Sequence, residues 1–143
     1  MISKLIKIPD IIIVEDHLVF RKGLNSFFKN GRIAHVIGEA SNGVVFIELL
    51  NHLQPDLVLM DIDMPEMNGI EATQKAKKLM PDLKIIASTM FENEEYYIKM
   101  IDLGVKGFIL KTAAISELEK AIQMVMKGEC YFSNDILKKL STV

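Results

Sequence analysis

At 143 residues, half of them hydrophobic and only four of them proline, the chain is sized for one domain with a substantial core, which excludes a disordered protein. Seventeen basic residues against nineteen acidic ones leave a net charge of −2, no footprint for a nucleic-acid surface. One cysteine, Cys130, excludes an internal disulfide, fits a reducing compartment and, with no His or Lys beside it, reads as an inert packed thiol.

The chain then alternates strands and helices. A strand is expected over about Asp10 to Glu15, because Ile11-Ile12-Ile13-Val14 is continuously apolar, as in a strand buried on both faces. A helix follows with Phe20, Leu24, Phe27 and Phe28 at helical spacing and ends near Asn30-Gly31. A weaker strand spans about Ile33 to Glu39. The next helix carries Phe46, Leu49, Leu50 and Leu53 on one face and stops before Pro55. Strand three, Asp56 to Met60, delivers Asp61. Helix three starts near Asn68-Gly69 and presents Ala72, Ala76, Leu79 and Met80. Strand four covers about Leu83 to Ser88, followed by Thr89. Helix four runs from about Asn93 to Leu103, stops at Gly104, and places Tyr97 on a buried stripe with Met100 and Ile101. Strand five, Gly107 to Leu110, delivers Lys111. Helix five presents Leu118, Ala121, Ile122 and Val125 and ends at Gly128.

Leu-Gln-Pro-Asp-Leu at 53–57 and Leu-Met-Pro-Asp-Leu at 79–83 each end a helix and open a strand, as Pro stops the one and Asp-Leu begins the other. Alternating βα units of this kind imply a parallel sheet with right-handed crossovers and helices on both faces. No apolar run approaches membrane-spanning length, and Met1 to Lys7 is too short and interrupted for a signal peptide, so a cytoplasmic protein is expected.

In such sheets the functional crevice lies beyond the carboxyl ends of the strands. The residues expected there are Glu15 and Asp16, Asp61, Thr89 and Lys111. Carboxylates that converge repel one another and raise each other's pKa unless something positive holds them. A divalent metal is the natural candidate, and Mg²⁺ suits a site with few carboxylates and phosphate oxygens. Acids, a hydroxyl and an amine are the equipment of phosphoryl transfer, where positioning and charge neutralisation dominate. A carboxylate nucleophile would form an aspartyl phosphate.

Here a resemblance becomes visible. Met60-Asp61-Ile62-Asp63-Met64-Pro65-Glu66-Met67-Asn68-Gly69 is similar to the phosphoacceptor loop of two-component response regulators. Ile13-Val14-Glu15-Asp16-His17 resembles their acidic-pair strand, Ile85 to Met90 their switch-hydroxyl strand, and Gly107-Phe108-Ile109-Leu110-Lys111 their lysine strand. The likeness covers roughly Asp10 to Gly128, in the family's order. Glu94-Glu95-Tyr96 and Gly128 to Ser133 look like the NarL/FixJ-type (LuxR-type) subfamily.

The resemblance implies a flavodoxin-like (βα)5 fold with a five-stranded parallel sheet in the order 2-1-3-4-5. It also assigns roles. Asp61 would accept the phosphoryl group. Asp16, Asp61 and the backbone carbonyl of Asp63 would bind Mg²⁺, with Glu15 acting through water. Lys111 and Thr89 would each contact a phosphoryl oxygen, and Phe108 would be the aromatic switch that follows Thr89 inward. Met64-Pro65 and Gly69 would shape the loop. The donor would be a sensor histidine kinase, and the protein would catalyse only its own phosphorylation and dephosphorylation. Homodimerisation would follow phosphorylation, through helix one with helix five or helix four with strand five.

Three positions depart from the commonest family pattern. Glu15 stands for an Asp, Asp63 puts an acid two residues after the acceptor and borders the site, and Phe91 puts an apolar ring two residues after Thr89. The three histidines, His17, His35 and His52, lack metal-ligand spacing and read as structural or surface groups, with His17 nearest the pocket. Lys77-Lys78 and Lys138-Lys139 read as solvated faces.

Two other readings stand beside the switch. A Mg²⁺-dependent phosphatase of the haloacid-dehalogenase kind would use Asp61-Ile62-Asp63, but its paired aspartates open the domain and the chain has no room for a cap. A phosphorylation-independent interaction module would need none of the site. The receiver is expected over 1–128, with 129–143 beginning a linker or an extra helix capped by Ser133 and carrying Ile136, Leu137 and Leu140. No helix-turn-helix or basic recognition helix is read in this sequence; the subfamily resemblance implies that DNA binding and transcription control belong to an output domain absent from this chain.

Overall fold

The computed structural model describes residues 8–64, 66–90, 93–132 and 137–138. Strand β1 (Asp10–Val14) lies inside the sheet, and its four apolar residues are all buried. Because a strand alternates its side chains between faces, Ile11 and Ile13 meet one helical layer while Ile12 and Val14 meet the other. The first layer comprises α1 (Leu18–Gly31), through Leu24 and Phe28, and α5 (Ile115–Met126), through Leu118, Ala121, Ile122 and Val125. The second comprises α2 (Gly43–Leu50), α3 (Gly69–Leu79) and α4 (Glu94–Asp102), through Phe46, Ala72, Ala76, Tyr97 and Met100. Each buried aliphatic side chain contributes about 1.5–3 kcal/mol, so a continuous apolar run is what a strand between two layers requires.

The remaining strands are β2 (His35–Ala40), β3 (Leu57–Asp61), β4 (Lys84–Thr89), β5 (Gly107–Leu110) and β6 (Tyr131–Phe132). All pairings are parallel, in the order β2-β1-β3-β4-β5-β6. The flavodoxin-like fold and the order 2-1-3-4-5 are as the resemblance implies, with one correction. Among the described residues the sheet has six strands, because Gly107 and Phe108 pair with Tyr131 and Phe132. Gly128, at φ +89, turns the chain after α5, and Tyr131 N–H then donates to Lys106 O at 2.8 Å. A two-residue strand is too short to leave an alternation in the sequence.

β6 is also fastened from its side chain. The Tyr131 hydroxyl donates to Glu117 Oε1 on α5 at 2.9 Å. Burial, then the Glu117 carboxylate, push its pKa up to about 12. Tyr131→Phe should therefore lower stability by about 0.5–1.5 kcal/mol, read as a lower urea midpoint at unchanged slope. An unchanged midpoint would mean that this bond adds nothing to the sixth strand.

Other expectations shift locally. The second strand starts at His35 rather than Ile33, because Ile33 N–H still serves the end of α1 by donating to Phe28 O at 3.2 Å. Gly31 is the last residue of α1, and Arg32 takes the left-handed conformation at φ 54. Leu79, expected on the buried face of helix three, is 56% exposed, because α3 ends there and Met80 turns inward instead. Phe20 lies at the solvent edge of α1 rather than in the core. Cys130, expected to be packed, is exposed. Leu137 is exposed, whereas Met1 to Lys7, Pro65, Phe91, Ser133, Ile136, Lys139 and Leu140 lie outside the described residues.

Candidate functional site

Parallel pairing brings the ends of β1, β3, β4 and β5 to one edge. Asp61 is registered with Ser88 and Thr89 with Leu110, so carboxylate, hydroxyl and lysine arrive together. Asp61 and Thr89 are 0% exposed and Glu15 is 2% exposed. Lys111 reaches both acids, with Nζ 2.7 Å from Glu15 Oε1 and 3.1 Å from Asp61 Oδ2. Its ammonium also lies 5.4 Å from the centre of the Phe20 ring, which explains why Phe20 sits at the site and not in the core. Ligand atoms of Glu15, Asp16, His17 and Asp61 all lie within 4.8 Å of one another.

The electrostatics follow from that crowding. Burial, then the charge of Glu15, push Asp61 up to about 8, against the opposing pull of Lys111. Burial alone would raise Asp16 too, but its interactions with Asp61, Glu15 and His17 hold it below the ordinary carboxylate value. Burial would lower Lys111, yet hydrogen bonding to Glu15 and the charge of Asp61 hold its ammonium above its usual value. Three carboxylates thus face one permanent cation. Such a set of hard oxygens fits a small divalent cation, which Asp16 and Asp61 could hold. Glu15 is already engaged, through Oε2 with His17 N–H at 3.0 Å and through Oε1 with Lys111.

The loop after Asp61 is held at both ends. Asp63 N–H donates to Asp61 Oδ1 at 3.1 Å, and Ile62 N–H donates to Ser88 O at 3.0 Å. Glu66 has φ 64, left-handed for a residue with a side chain. Asn68 then caps α3 by accepting from Glu71 N–H at 3.0 Å. Gly69 N–H donates to Ile62 O at 2.9 Å, an approach so close that a Cβ there would run into the backbone of Asp61 and Ile62. A cavity of about 330 Å³ opens beside the carboxylates, lined by residues including Asp16, Asp63, Asn68 and Tyr96.

Glu15, Asp16, Asp61, Asp63, Thr89 and Lys111 lie together at this edge, and three further contacts were not foreseen. The Asp63 carboxylate accepts a hydrogen bond from the Thr89 hydroxyl at 3.1 Å. Arg21, one turn into α1, donates to Glu15 O at 2.6 Å and pairs with Glu39 at 3.1 Å, tying the acidic strand end to β2. His17, read as a surface group, is 69% exposed, yet its Nδ1 lies 3.3 Å from both Glu15 Oε2 and Asp16 Oδ1. Only its place directly after the acidic pair hinted at this. Phe108 is already turned inward, fully buried, with its ring centre 4.4 Å from that of Tyr97 in an edge-to-face contact.

Residues 11–123 match the response regulator receiver domain family. The chain belongs to that family. The receiver is 38% identical over 133 residues to the transcriptional regulatory protein YdfI of Bacillus subtilis, covering 93% of this chain and 62% of that protein. It is 34% identical over 130 residues to the response regulator VraR of Staphylococcus saprophyticus, covering 91% of this chain and again 62% of the relative. Among solved structures, a LuxR-family response regulator from Aurantimonas sp. SI85-9A1 superposes with a TM-score of 0.89 at 26% identity, covering 95% and 97% of the two chains. The isolated receiver domain of RcsB from Salmonella enterica serovar Typhimurium, solved with the phosphomimetic BeF₃⁻, gives 0.84 at 26% identity, covering 92% and 98%. These relatives are a transcriptional regulatory protein and a response regulator, and no described helix is long and apolar enough to cross a membrane.

Proposed function

We propose that this receiver is a phosphorylation-activated switch of a two-component system, with Asp61 as the acceptor. The observation that carries this reading is a fully buried carboxylate at the end of β3, flanked by Glu15 and Asp16, with the Lys111 ammonium 3.1 Å from one of its oxygens. The phosphoryl donor is a phosphohistidine of a sensor histidine kinase. An Asp61 oxygen attacks phosphorus, the new P–O bond forms as the P–N bond breaks, and the released imidazole takes a proton from solvent.

The residues divide the work. Lys111 leaves its present partners to meet a phosphoryl oxygen, and the Thr89 hydroxyl donates to another. Asp16, Asp61 and the Asp63 carbonyl would hold Mg²⁺, with Glu15 acting through water, and the ion would supply neutralisation of the surplus carboxylate and phosphoryl charge. Burial excludes water from the acceptor and strengthens each of these interactions. The inward Phe108 ring, packed on Tyr97 of α4, links the site to a surface that a partner can read. Homodimerisation on phosphorylation and control of a DNA-binding output domain outside this chain are the outputs, in keeping with RcsB, whose DNA complex superposes at a TM-score of 0.88 and of which 69% is covered.

Intact mass after incubation with acetyl phosphate and Mg²⁺ tests the assignment. One added phosphoryl group is expected, absent from Asp61→Asn and absent after chelation. Undiminished labelling of Asp61→Asn would overturn it, and no adduct on a chain that binds neither Mg²⁺ nor BeF₃⁻ would point to a phosphorylation-independent module.

A further inference from the structure

The Asp63 side chain has no part in the scheme above, which uses only its backbone. Yet Asp63 touches the site twice. Its N–H donates to Asp61 Oδ1 at 3.1 Å, and its Oδ2 accepts from Thr89 Oγ1 at 3.1 Å. Thr89 is fully buried at the end of β4, where its carbonyl is pinned by Lys111 N–H at 2.8 Å. A hydroxyl carries a single proton. It cannot donate to Asp63 and to a phosphoryl oxygen on Asp61 at once.

We propose that Asp63 is a positioning residue that holds the Thr89 hydroxyl in the unphosphorylated protein, so that the switch begins with a transfer of that one hydrogen bond from a carboxylate to the phosphoryl group. The proposal rests on the assignment of Asp61 as the phosphoacceptor. Its consequence is a bias toward the resting state. The phosphoryl group gains the Thr89 bond only by breaking a charge-assisted one, and the Asp63 charge then faces a new anion without its donor. Two states compete for the same proton, and Asp63 stabilises one of them.

Three chains decide the matter: the parent, Asp63→Ala and Asp63→Asn. Asparagine keeps an acceptor oxygen but drops the charge, so it separates the hydrogen bond from simple repulsion. Asp63 is exposed, and neither substitution opens a core cavity. The first readout is the Thr89 methyl and amide resonances of the unliganded protein. In Asp63→Ala they should move toward their positions in the parent saturated with Mg²⁺ and BeF₃⁻, and in Asp63→Asn they should stay with the parent. The second is the apparent BeF₃⁻ affinity at saturating Mg²⁺, with Mg²⁺ affinity measured separately for each chain. Asp63→Ala should bind about tenfold more tightly, the size expected for losing one hydrogen bond to a charged acceptor.

Thr89 resonances that stay with the parent in Asp63→Ala would overturn the proposal, as would Asparagine behaving like Alanine in the unliganded protein, because charge alone would then explain the effect. Weaker BeF₃⁻ binding by Asp63→Ala would also overturn it. A parent chain that binds no BeF₃⁻ and takes no phosphoryl group would instead defeat the phosphoacceptor reading, while the Thr89 resonances would still report whether Asp63 holds the hydroxyl.

Discussion

Asp61→Asn should melt several degrees above the parent chain in metal-free buffer at pH 8, although it removes the proposed acceptor. The reason is the company Asp61 keeps. Burial first, and Glu15 second, push its pKa up to about 8, while an unfolded chain returns it to about 3.9. Between those values the folded state binds the extra proton, so unfolding free energy falls as pH rises. The contribution of neutral Asp61 is complete below about pH 4 and is lost as pH climbs through about 8. Asparagine stays neutral throughout, so the gap between the two chains should widen from pH 5 to pH 8. Asp16, held low, acts with the opposite sign and only at acid pH, outside this window. Relieving buried like charges without opening a void is worth about 1–4 kcal/mol, or roughly 3 °C or more per kcal/mol for a chain of this size. Mg²⁺ should raise the melting temperature of the parent and close most of the gap, because a ligand of the folded state alone stabilises it. Thermal scans at pH 5, 6.5 and 8, with and without Mg²⁺, check all of this. An asparagine variant that melts lower at every pH would mean that the Lys111–Asp61 contact outweighs the repulsion.

Gly69→Ala should cost both the fold and the site. A methyl group at Gly69 would meet Ile62 Cα at 2.7 Å and the carbonyl of Asp61 closer still. These are backbone atoms and cannot swing aside as a flexible side chain can. The start of α3 must back away from the end of β3, breaking the bond from Gly69 N–H to Ile62 O. Overpacking of this kind costs about 1–3 kcal/mol and sometimes more, and the displacement falls on the acceptor's own peptide. The expected result is a lower urea midpoint together with much slower labelling by acetyl phosphate. Gly23→Ala is the matched control, since a Cβ at Gly23 on α1 meets nothing within 4 Å. It should gain up to about 1 kcal/mol, because alanine suits a helix better, and label normally. Equal stability of the Gly69 variant and the parent would show that β3 and α3 part without cost.

Much of this molecule was legible in its sequence because the signals were local. Ile11 to Val14 and Leu57 to Met60 announced buried strands by unbroken apolarity, and the asparagines at 68 and 93, where helices three and four were expected to start, cap α3 and α4 as short polar side chains do. Acids, hydroxyl and lysine at strand ends then pointed to one edge, where the fold brings them together, since parallel strands all deliver their C-termini to the same side.

What the sequence could not supply were contacts made by distant segments, and these decide how the site is set. The Thr89 hydroxyl could have pointed anywhere until β4 brought it beside the Asp63 carboxylate, twenty-six residues away in the chain. Lys111 was expected to await a phosphate, but in the folded protein it is bound to Glu15 and Asp61, because buried carboxylates take the nearest cation. Phe108 sits inward because Tyr97 of α4 packs on its ring, and a sixth strand forms because Gly128 turns Tyr131 and Phe132 back along β5. The sequence by itself determined the buried strands, the helix starts at Asn68 and Asn93 and the chemistry carried at the strand ends, since periodicity, capping and residue type are properties of neighbours along the chain. Only the tertiary structure decided which of those groups are paired in the resting protein, because hydrogen bonds and charge are settled by proximity in space.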